Sequence, residues 1–422
     1  MEQFLIKGKN KLNGTVKIDG AKNAALPIIA ASILPKRPVT LTNVPHVSDV
    51  YNMLNALKEI GANVSELNNG KVVIDGSTIN STTISYENIK KIRASYYLIG
   101  ALLASFNKAQ VPMPGGCDLG NRPIDQHLKG FRKLGANVSC RHGVIEAKSN
   151  KEGLIGRTIF MDIVSVGATI NIMLAASTAK GTTTIINAAK EPHVIDVAIF
   201  LNKIGVNVRG AGSDRIRITG NTELLATSHE IIPDQIEAAT FMLAAAGTGS
   251  TITLENVISS HLIPISSKLI EAGCIITNSD NTITISGPEK LTPISVITNP
   301  YPGFPTDAQP QITAALTNVE IGKTSIIKEN IFSGRFNYVA ELVKMGAEVA
   351  TYDKLATITG KGSLQGAIVE SPDLRAGAAL IIAGLMAEGE TYIRNIHFIK
   401  RGYANIDKKL RNLGADIQIC NY

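Results

Sequence analysis

Leu57-Lys58-Glu59-Ile60-Gly61-Ala62-Asn63-Val64 reads as the last turn of a helix, a glycine stop and the start of a strand. The same sentence recurs as Phe131-Arg-Lys-Leu-Gly135-Ala-Asn-Val138, Leu201-Asn-Lys-Ile-Gly205-Val-Asn-Val208, Leu269-Ile-Glu-Ala-Gly273-Cys-Ile-Ile276, Leu342-Val-Lys-Met-Gly346-Ala-Glu-Val349 and Leu410-Arg-Asn-Leu-Gly414-Ala-Asp-Ile417. Successive glycines are 74, 70, 68, 73 and 68 residues apart, a spacing that marks an internal repeat of about seventy residues. Each glycine is placed to end its helix in the left-handed conformation. Working outward, every copy has an Ala-rich segment upstream that is apolar nearly all round: Ala24–Leu34, Tyr96–Ser105, Ala168–Ala179, Ile236–Ala246, Ile312–Leu316 and Ala376–Met386. A helix apolar on every side must be buried. The remaining stretches, such as Thr251-Ile-Thr-Leu-Glu255 and Thr282-Ile-Thr-Ile-Ser286, alternate apolar with polar as strands with one wet face do.

The unit is therefore β-α-β-α-β-β in circular order, and the fold class is α/β: a two-domain inside-out barrel of six repeats, helices buried and sheets outside. A chain of 422 residues exceeds the roughly 250–300 at which one core stops growing. The sixth copy lacks its final strand, whereas the chain opens with spare strand material at Phe4-Leu-Ile6 and Thr15-Val-Lys-Ile18, so the ends are expected to pair. That gives a first domain over 21–230 and a second over 1–20 plus 231–422, with two crossings near Gly20 and Pro233 and a cleft as the expected ligand site.

Composition narrows the function. The net charge of +7 favours anionic ligands; aromatics at 5%, with no Trp and scattered arginines, argue against a nucleic-acid partner. The longest apolar runs are too short to span a bilayer and the first residues do not form a secretory leader, which predicts no membrane partner and a cytoplasmic location. Cys117, Cys140, Cys274 and Cys420 have no paired spacing, the last three falling in strand-like runs, so neither a disulfide framework nor a metal site is expected. No phosphate-cradling or dinucleotide glycine motif occurs, and no cofactor is expected.

Chemistry concentrates elsewhere. Pro112-Met-Pro-Gly-Gly-Cys117-Asp-Leu-Gly-Asn-Arg122-Pro123 cannot continue a helix or central strand, which puts a lone thiol on an exposed loop with a guanidinium five residues on. Such a thiol is a usable acid or nucleophile. Each buried helix is preceded by a loop with polar residues that a core does not need: Lys22-Asn23, Arg93, Ser165-Val166-Gly167, Asp234, Asp307 and Asp373-Leu-Arg375. Helix N-termini bind anions, and Lys22, Arg93, Arg122, Arg335, Arg375 and Arg401 supply cations. Asp307 reads either as a helix cap or as a base for a hydroxyl. His46, His193, His261 and His397 read as turn residues.

Taken together, the repeat, Gly20-Ala-Lys-Asn-Ala24, Gly115-Gly-Cys-Asp-Leu-Gly-Asn-Arg-Pro-Ile-Asp-Gln-His127, Phe304-Pro-Thr-Asp307, Asp373-Leu-Arg375 and Arg401-Gly-Tyr403 resemble the UDP-N-acetylglucosamine 1-carboxyvinyltransferase family over the whole chain. Ile163 and Ser333 stand where some members carry Lys and Glu. The resemblance implies transfer of the enolpyruvyl group of phosphoenolpyruvate to the 3-hydroxyl of UDP-N-acetylglucosamine, with release of phosphate, as the first committed step of peptidoglycan synthesis. It implies no metal, a monomer, links to cell shape and division, a pyruvate adduct on Cys117 and sensitivity to fosfomycin. Cys117, Lys22, Asp307 and Arg401 are the implied catalytic residues; Lys22, Asn23, Arg93, Arg122, Arg335, Arg375 and Arg401 would hold phosphoenolpyruvate. The sugar nucleotide would be held by Arg93, Arg122, Pro123, Ile124, Asp125, Gln126, Ser165, Val166, Gly167, Asp307 and Ile331. Two rivals stand beside this reading: an enolpyruvylshikimate phosphate synthase, and a basic RNA-binding or RNA-end-processing protein.

Overall fold

Leu57, Lys58, Gly61 and Ala62 close the helix Ser48–Glu59 by two backbone bonds. The Gly61 N–H donates to the Lys58 carbonyl and the Ala62 N–H to that of Leu57, both at 3.0 Å. This is the Schellman arrangement, and it needs a left-handed residue after the cap. The six repeat glycines have φ between +87° and +99°. The residue after each glycine is small or apolar and buried, which is where Ala62, Ala136, Val206, Cys274, Ala347 and Ala415 sit. Cys274 therefore precedes its strand, Ile275–Ser279, rather than lying in it.

The computed structural model describes residues 1–86, 93–113 and 124–422. In the fifth repeat the strand Ser295–Ile297 leads into the buried helix Gln309–Leu316, the strand Thr324–Lys328, the helix Val339–Lys344 and the strands Glu348–Tyr352 and Leu355–Thr359. Ser295–Ile297 and Thr324–Lys328 pair in parallel; Leu355–Thr359 lies antiparallel between Thr324–Lys328 and Glu348–Tyr352. Along Thr324–Lys328 exposed and buried residues alternate strictly, so one face of the sheet is wet and the other covers the helices. The expected β-α-β-α-β-β unit, buried helices and outer sheets are what the chain forms. Among the described residues the sheets remain six separate layers, and none closes on itself.

The strands are not all used by the repeat that precedes them. Asn13–Lys17 runs parallel to Thr251–Glu255, and Thr227–Glu230 runs parallel to Pro38–Thr42, so the two segments are exchanged. Glu2–Lys7 fills the place left in the sixth repeat, between Glu390–Arg394 and Asp416–Asn421, pairing the two ends as the strand inventory requires. Two compact units result: Met1–Asp19 with Pro233–Tyr422, and the described residues between Gly20 and Ile232.

In the first of these units the helices Gln235–Thr248, Gln309–Leu316 and Leu374–Met386 pack on one another, and every residue of the latter two is buried. In the other, Lys22–Ala31, Tyr97–Phe106 and Val166–Ala176 do the same. Their close approach depends on small residues: a Cβ on Gly100 would lie 2.3 Å from Asn171 Oδ1, on the facing helix. Where the chain passes from one unit to the other, the Ala21 N–H donates to the Ile232 carbonyl at 2.7 Å and the Asp234 N–H to the Asp19 carbonyl at 2.8 Å.

Candidate active site

Within the unit formed by Met1–Asp19 and Pro233–Tyr422, Asp307 lies in a short 3-10 turn, Thr306–Ala308, ahead of the helix Gln309–Leu316. Its carboxylate accepts from two arginines of different repeats: Arg335 Nη2 donates to Oδ1 at 2.9 Å, while Arg375 Nη2 and Nε donate to Oδ2 at 3.0 and 3.3 Å. Arg335 is 1% exposed and Arg375 4%. Buried cations are expensive without partners, so this pair of guanidiniums persists only because Asp307 and neighbouring oxygens face them. Arg335 Nε also donates to Thr306 Oγ1 at 3.1 Å. The fully buried Glu329 then accepts from Thr306 Oγ1 and from the Ile331 and Phe332 N–H groups, which fixes the half-exposed turn carrying Ile331. Asp373, by contrast, is the N-cap of Leu374–Met386, accepting from the Arg375 and Ala376 N–H groups.

The unit between Gly20 and Ile232 holds a second polar cluster. Lys22, 9% exposed at the first position of Lys22–Ala31, places Nζ 3.3 Å from Asp49 Oδ2 at the start of Ser48–Glu59. A cation at a helix N-terminus opposes the helix dipole, and the carboxylate offsets it. Arg93 opens the 3-10 turn Arg93–Tyr96. The buried His127 packs edge-to-face on Tyr96, ring centroids 4.6 Å apart. Its protonation follows from its neighbours. Asn171 Oδ1 accepts from the Gly100 N–H at 3.0 Å, so its amide nitrogen faces the Tyr96 carbonyl at 2.7 Å and His127 Nδ1 at 3.0 Å. Nδ1 must accept, and the single ring proton belongs on Nε2. Burial, reinforced by Arg93 and opposed by Asp125, lowers the His127 pKa to about 3. A Cβ on Gly167 would lie 2.6 Å from the Tyr96 hydroxyl and 3.1 Å from His127 Cε1, so only glycine fits there. Gln126 ties the helix Asp125–Lys133 to Asp162, donating through Nε2 to Oδ2 at 3.1 Å and accepting through Oε1 from the Asp162 N–H at 3.1 Å. Lys129 Nζ donates to Asp162 Oδ1 at 2.6 Å.

The EPSP synthase (3-phosphoshikimate 1-carboxyvinyltransferase) family model matches residues 6–410. A UDP-N-acetylglucosamine 1-carboxyvinyltransferase of Finegoldia magna is 50% identical over 420 residues, covering 99% of both chains. One from Clostridium botulinum is 48% identical over 418 residues with the same coverage, and a UDP-N-acetylglucosamine 1-carboxyvinyltransferase 2 of Bacillus subtilis is 49% identical, covering 99% of this chain and 96% of that one. The chain belongs to the UDP-N-acetylglucosamine 1-carboxyvinyltransferases of the EPSP synthase family. Crystal structures agree on the fold: the enolpyruvyl transferase NikO of Streptomyces tendae superposes with TM-score 0.90 at 24% identity, covering 100% of this chain and 99% of that one. An EPSP synthase of Acinetobacter baumannii gives TM-score 0.79 at 21% identity, with 100% of both chains covered.

Against that family background the expected residues sort by position. Asp307, Arg335 and Arg375 come together directly, and Arg401 ends the 3-10 turn Ile399–Arg401 in the same unit. Lys22, Asn23, Arg93, Ile124, Asp125, Gln126, Ser165, Val166 and Gly167 all lie in the other unit, Ser165 as an N-cap whose Oγ accepts from the Ala168 N–H at 3.3 Å. Cys117, Arg122 and Pro123 lie outside the described residues. Lys22, Asn23, Val166, Gly167 and Arg375 are not loop residues ahead of the buried helices, as expected, but occupy the helices' first turns. Asp307 is not the N-cap residue of the helix it precedes, which is Ala308; the side chains that cap buried helices are Ser165, Asp234 and Asp373. His193 lies inside the helix Pro192–Lys203 rather than in a turn. Ile163 is 58% exposed beside the nucleotide-loop candidates. Sequence reasoning missed Asp49, Glu329, Gln311 and the structural part of His127. None recurs at a fixed repeat position, so periodicity held no signal for them.

No metal-holding group of three or more His, Cys, Asp and Glu exists among the described residues, and no described helix is long and apolar enough to cross a membrane.

Proposed function

We propose that this protein transfers the enolpyruvyl group of phosphoenolpyruvate to the 3-hydroxyl of UDP-N-acetylglucosamine and releases phosphate, the first committed step of peptidoglycan synthesis. The observation that carries the reading is Asp307 held by Arg335 and Arg375: a carboxylate beside two buried guanidiniums suits a reaction between a hydroxyl and a doubly anionic cosubstrate. Arg375, Arg335, Arg401, Lys22, Asn23, Arg93 and Arg122 would bind the phosphate and carboxylate of phosphoenolpyruvate. Ile124, Asp125, Gln126, Ser165, Val166, Gly167 and Ile331, with Pro123, would contact the nucleotide.

Cys117 protonates C3 of phosphoenolpyruvate, leaving C2 electrophilic. The sugar hydroxyl adds to C2 and gives its proton to Asp307. The resulting tetrahedral ketal expels phosphate, while a proton leaves C3 to restore the double bond. Having given its proton to C3, the same sulfur can add to C2 in place of the sugar hydroxyl, giving a pyruvate adduct that keeps the phosphate, and it can be alkylated by fosfomycin, an epoxide. The protein works as a monomer in the cytoplasm, and cell shape and division depend on the wall precursor it makes. The test is phosphate release from phosphoenolpyruvate with UDP-N-acetylglucosamine or with shikimate 3-phosphate as acceptor. Turnover with the sugar nucleotide alone supports the reading; turnover only with the shikimate acceptor overturns it. Peptide mapping after epoxide treatment should find Cys117 modified, while buried Cys274, whose pKa burial pushes up to about 12, stays unmodified.

A further inference from the structure

Tyr403 ends the Arg401-Gly402-Tyr403 segment and is only 2% exposed. Its hydroxyl meets a side chain from each of the three buried helices of its unit: Thr240 Oγ1 at 2.8 Å, Gln311 Nε2 at 3.1 Å and Arg375 Nη1 at 3.2 Å. The direction of these bonds is fixed. Thr240 spends its only hydroxyl proton on the Ile236 carbonyl at 2.8 Å, so Thr240 Oγ1 accepts from Tyr403. Gln311 and Arg375 can only donate through nitrogen, so the phenol oxygen accepts from both. The chain runs one way, from Arg375 to Tyr403 to Thr240 to a helix carbonyl. Gln311 Nε2 also donates to the Asp307 carbonyl at 3.0 Å, tying the same network to the backbone of the carboxylate. The segment cannot drift: a Cβ on Gly402 would lie 2.8 Å from Leu374 Cδ2, and one on Gly377 would lie 2.5 Å from Ile399 Cγ1.

We propose that Tyr403 is a positioning residue for the transferase reaction, its hydroxyl setting the plane of the Arg375 guanidinium against the phosphoenolpyruvate anion. The inference rests on the role given above to Arg375. Of the five N–H donors of Arg375, Asp307 takes two and Tyr403 one, which leaves two for an anion and fixes where they point. Burial, opposed by Arg375, raises the Tyr403 pKa, so the phenol stays neutral and does not exchange protons with substrate. Tyr403→Phe removes one oxygen and keeps the ring, 5.5 Å from the Arg375 guanidinium carbon. Gln311 keeps Asp307 and Thr240 as acceptors in that variant, and Thr240 keeps Ile236, so the fold has no new buried orphan except one Arg375 N–H.

The test is a cycle of Tyr403→Phe, Arg375→Lys and the double variant in the full chain. Tyr403→Phe should lower kcat/KM for phosphoenolpyruvate about tenfold, the size of one lost hydrogen bond to a charged group, with KM for the sugar nucleotide nearly unchanged and the thermal midpoint lowered by only a few degrees for the one unpaired Arg375 N–H. In the Arg375→Lys background the same change should cost less than about twofold, because the residue it acts through is gone. Calorimetric affinity for phosphoenolpyruvate in the presence of the sugar nucleotide supplies the same cycle where Arg375→Lys is too slow to assay. Thr240→Val should move kcat/KM in the same direction. An equal loss in both backgrounds, a loss that falls equally on the sugar nucleotide, or no loss overturns the inference. Wild-type turnover separates this from failure of the proposed function, under which the unmodified protein would release no phosphate with UDP-N-acetylglucosamine.

Discussion

Each oxygen of Asp307 accepts from a different buried arginine, and that makes the residue structural as well as chemical. Removing one member of a buried charge network leaves the others uncompensated, at a cost of about 3–5 kcal/mol. Asp307→Ala should therefore lower urea stability by that order, whereas Asp307→Asn keeps an acceptor for one guanidinium and should lose less; both should lose turnover. Equal stability of Asp307→Ala and wild type would show that the arginines find other partners. His127 gives a pH signature. Its folded pKa, about 3, lies below the ordinary value of 6.5, so between those limits the unfolded chain binds a proton that the native chain does not. The sign follows: this contribution is flat above pH 6.5 and falls as the pH drops below it, by about 1.4 kcal/mol per pH unit. Proton NMR of the His127 ring should show the neutral form from pH 8 to pH 5, and His127→Phe should remove that slope from the stability profile. A ring that titrates near 6.5 would refute the buried, Nε2-protonated assignment. In the sequence His127 stands only at the end of a motif. Its neutrality depends on burial and on Arg93, and its tautomer on Asn171 and Gly100, residues with no fixed spacing to it, which a linear reading cannot connect.

The helix-ending glycines are the elements' shared device, and they separate backbone strain from crowding. A Cβ on Gly346 would meet nothing within 4 Å, so Gly346→Ala should cost only the left-handed strain of a non-glycine residue, about 1–2 kcal/mol. Gly61→Ala adds a contact of 2.9 Å with Asn80 Oδ1 and one of 3.1 Å with the Thr78 carbonyl, so it should cost more. Thermal midpoints of the two variants test the order; a larger loss at position 346 would contradict it. These glycines, the alternating strands and the all-apolar helices made the repeat legible in the chain. The first turns of the buried helices were not, and for a physical reason. Lys22, Asn23, Gln309, Gln311 and Arg375 are polar, so a rule that looks for residues apolar on every side starts Lys22–Ala31 at Ala24 and Gln309–Leu316 at Ile312. In the function proposed above Lys22, Asn23 and Arg375 of these first-turn side chains would meet the ligand, so the rule fails at the candidate site.

At the scale of the molecule, the first nineteen residues belong to a unit whose other described residues begin at Pro233. They supply two strands to two different sheets: Glu2–Lys7, central between Glu390–Arg394 and Asp416–Asn421, and Asn13–Lys17, beside Thr251–Glu255. Phe4, Ile6, Leu12, Val16 and Ile18 are all buried in that unit's core. At about 1.5–3 kcal/mol for each large apolar side chain, their loss approaches the 5–15 kcal/mol by which a whole domain is stable. The loss also uncovers the facing edges of Glu390–Arg394 and Asp416–Asn421. In the other unit the strand beside Pro38–Thr42 is Thr227–Glu230, not a strand of this segment. Deleting residues 1–19 should therefore unfold the unit that contains Asp307, Arg335 and Arg375 while Lys22–Ala31, Tyr97–Phe106 and Val166–Ala176 keep their core. Hydrogen exchange followed by peptide mapping reads both halves at once. Protection should vanish from peptides after Pro233 and persist in the buried helices before it. If protection were retained throughout, the exchanged strands would be ornaments on cores that stand without them; if it were lost throughout, the two units would not be separate folding units at all.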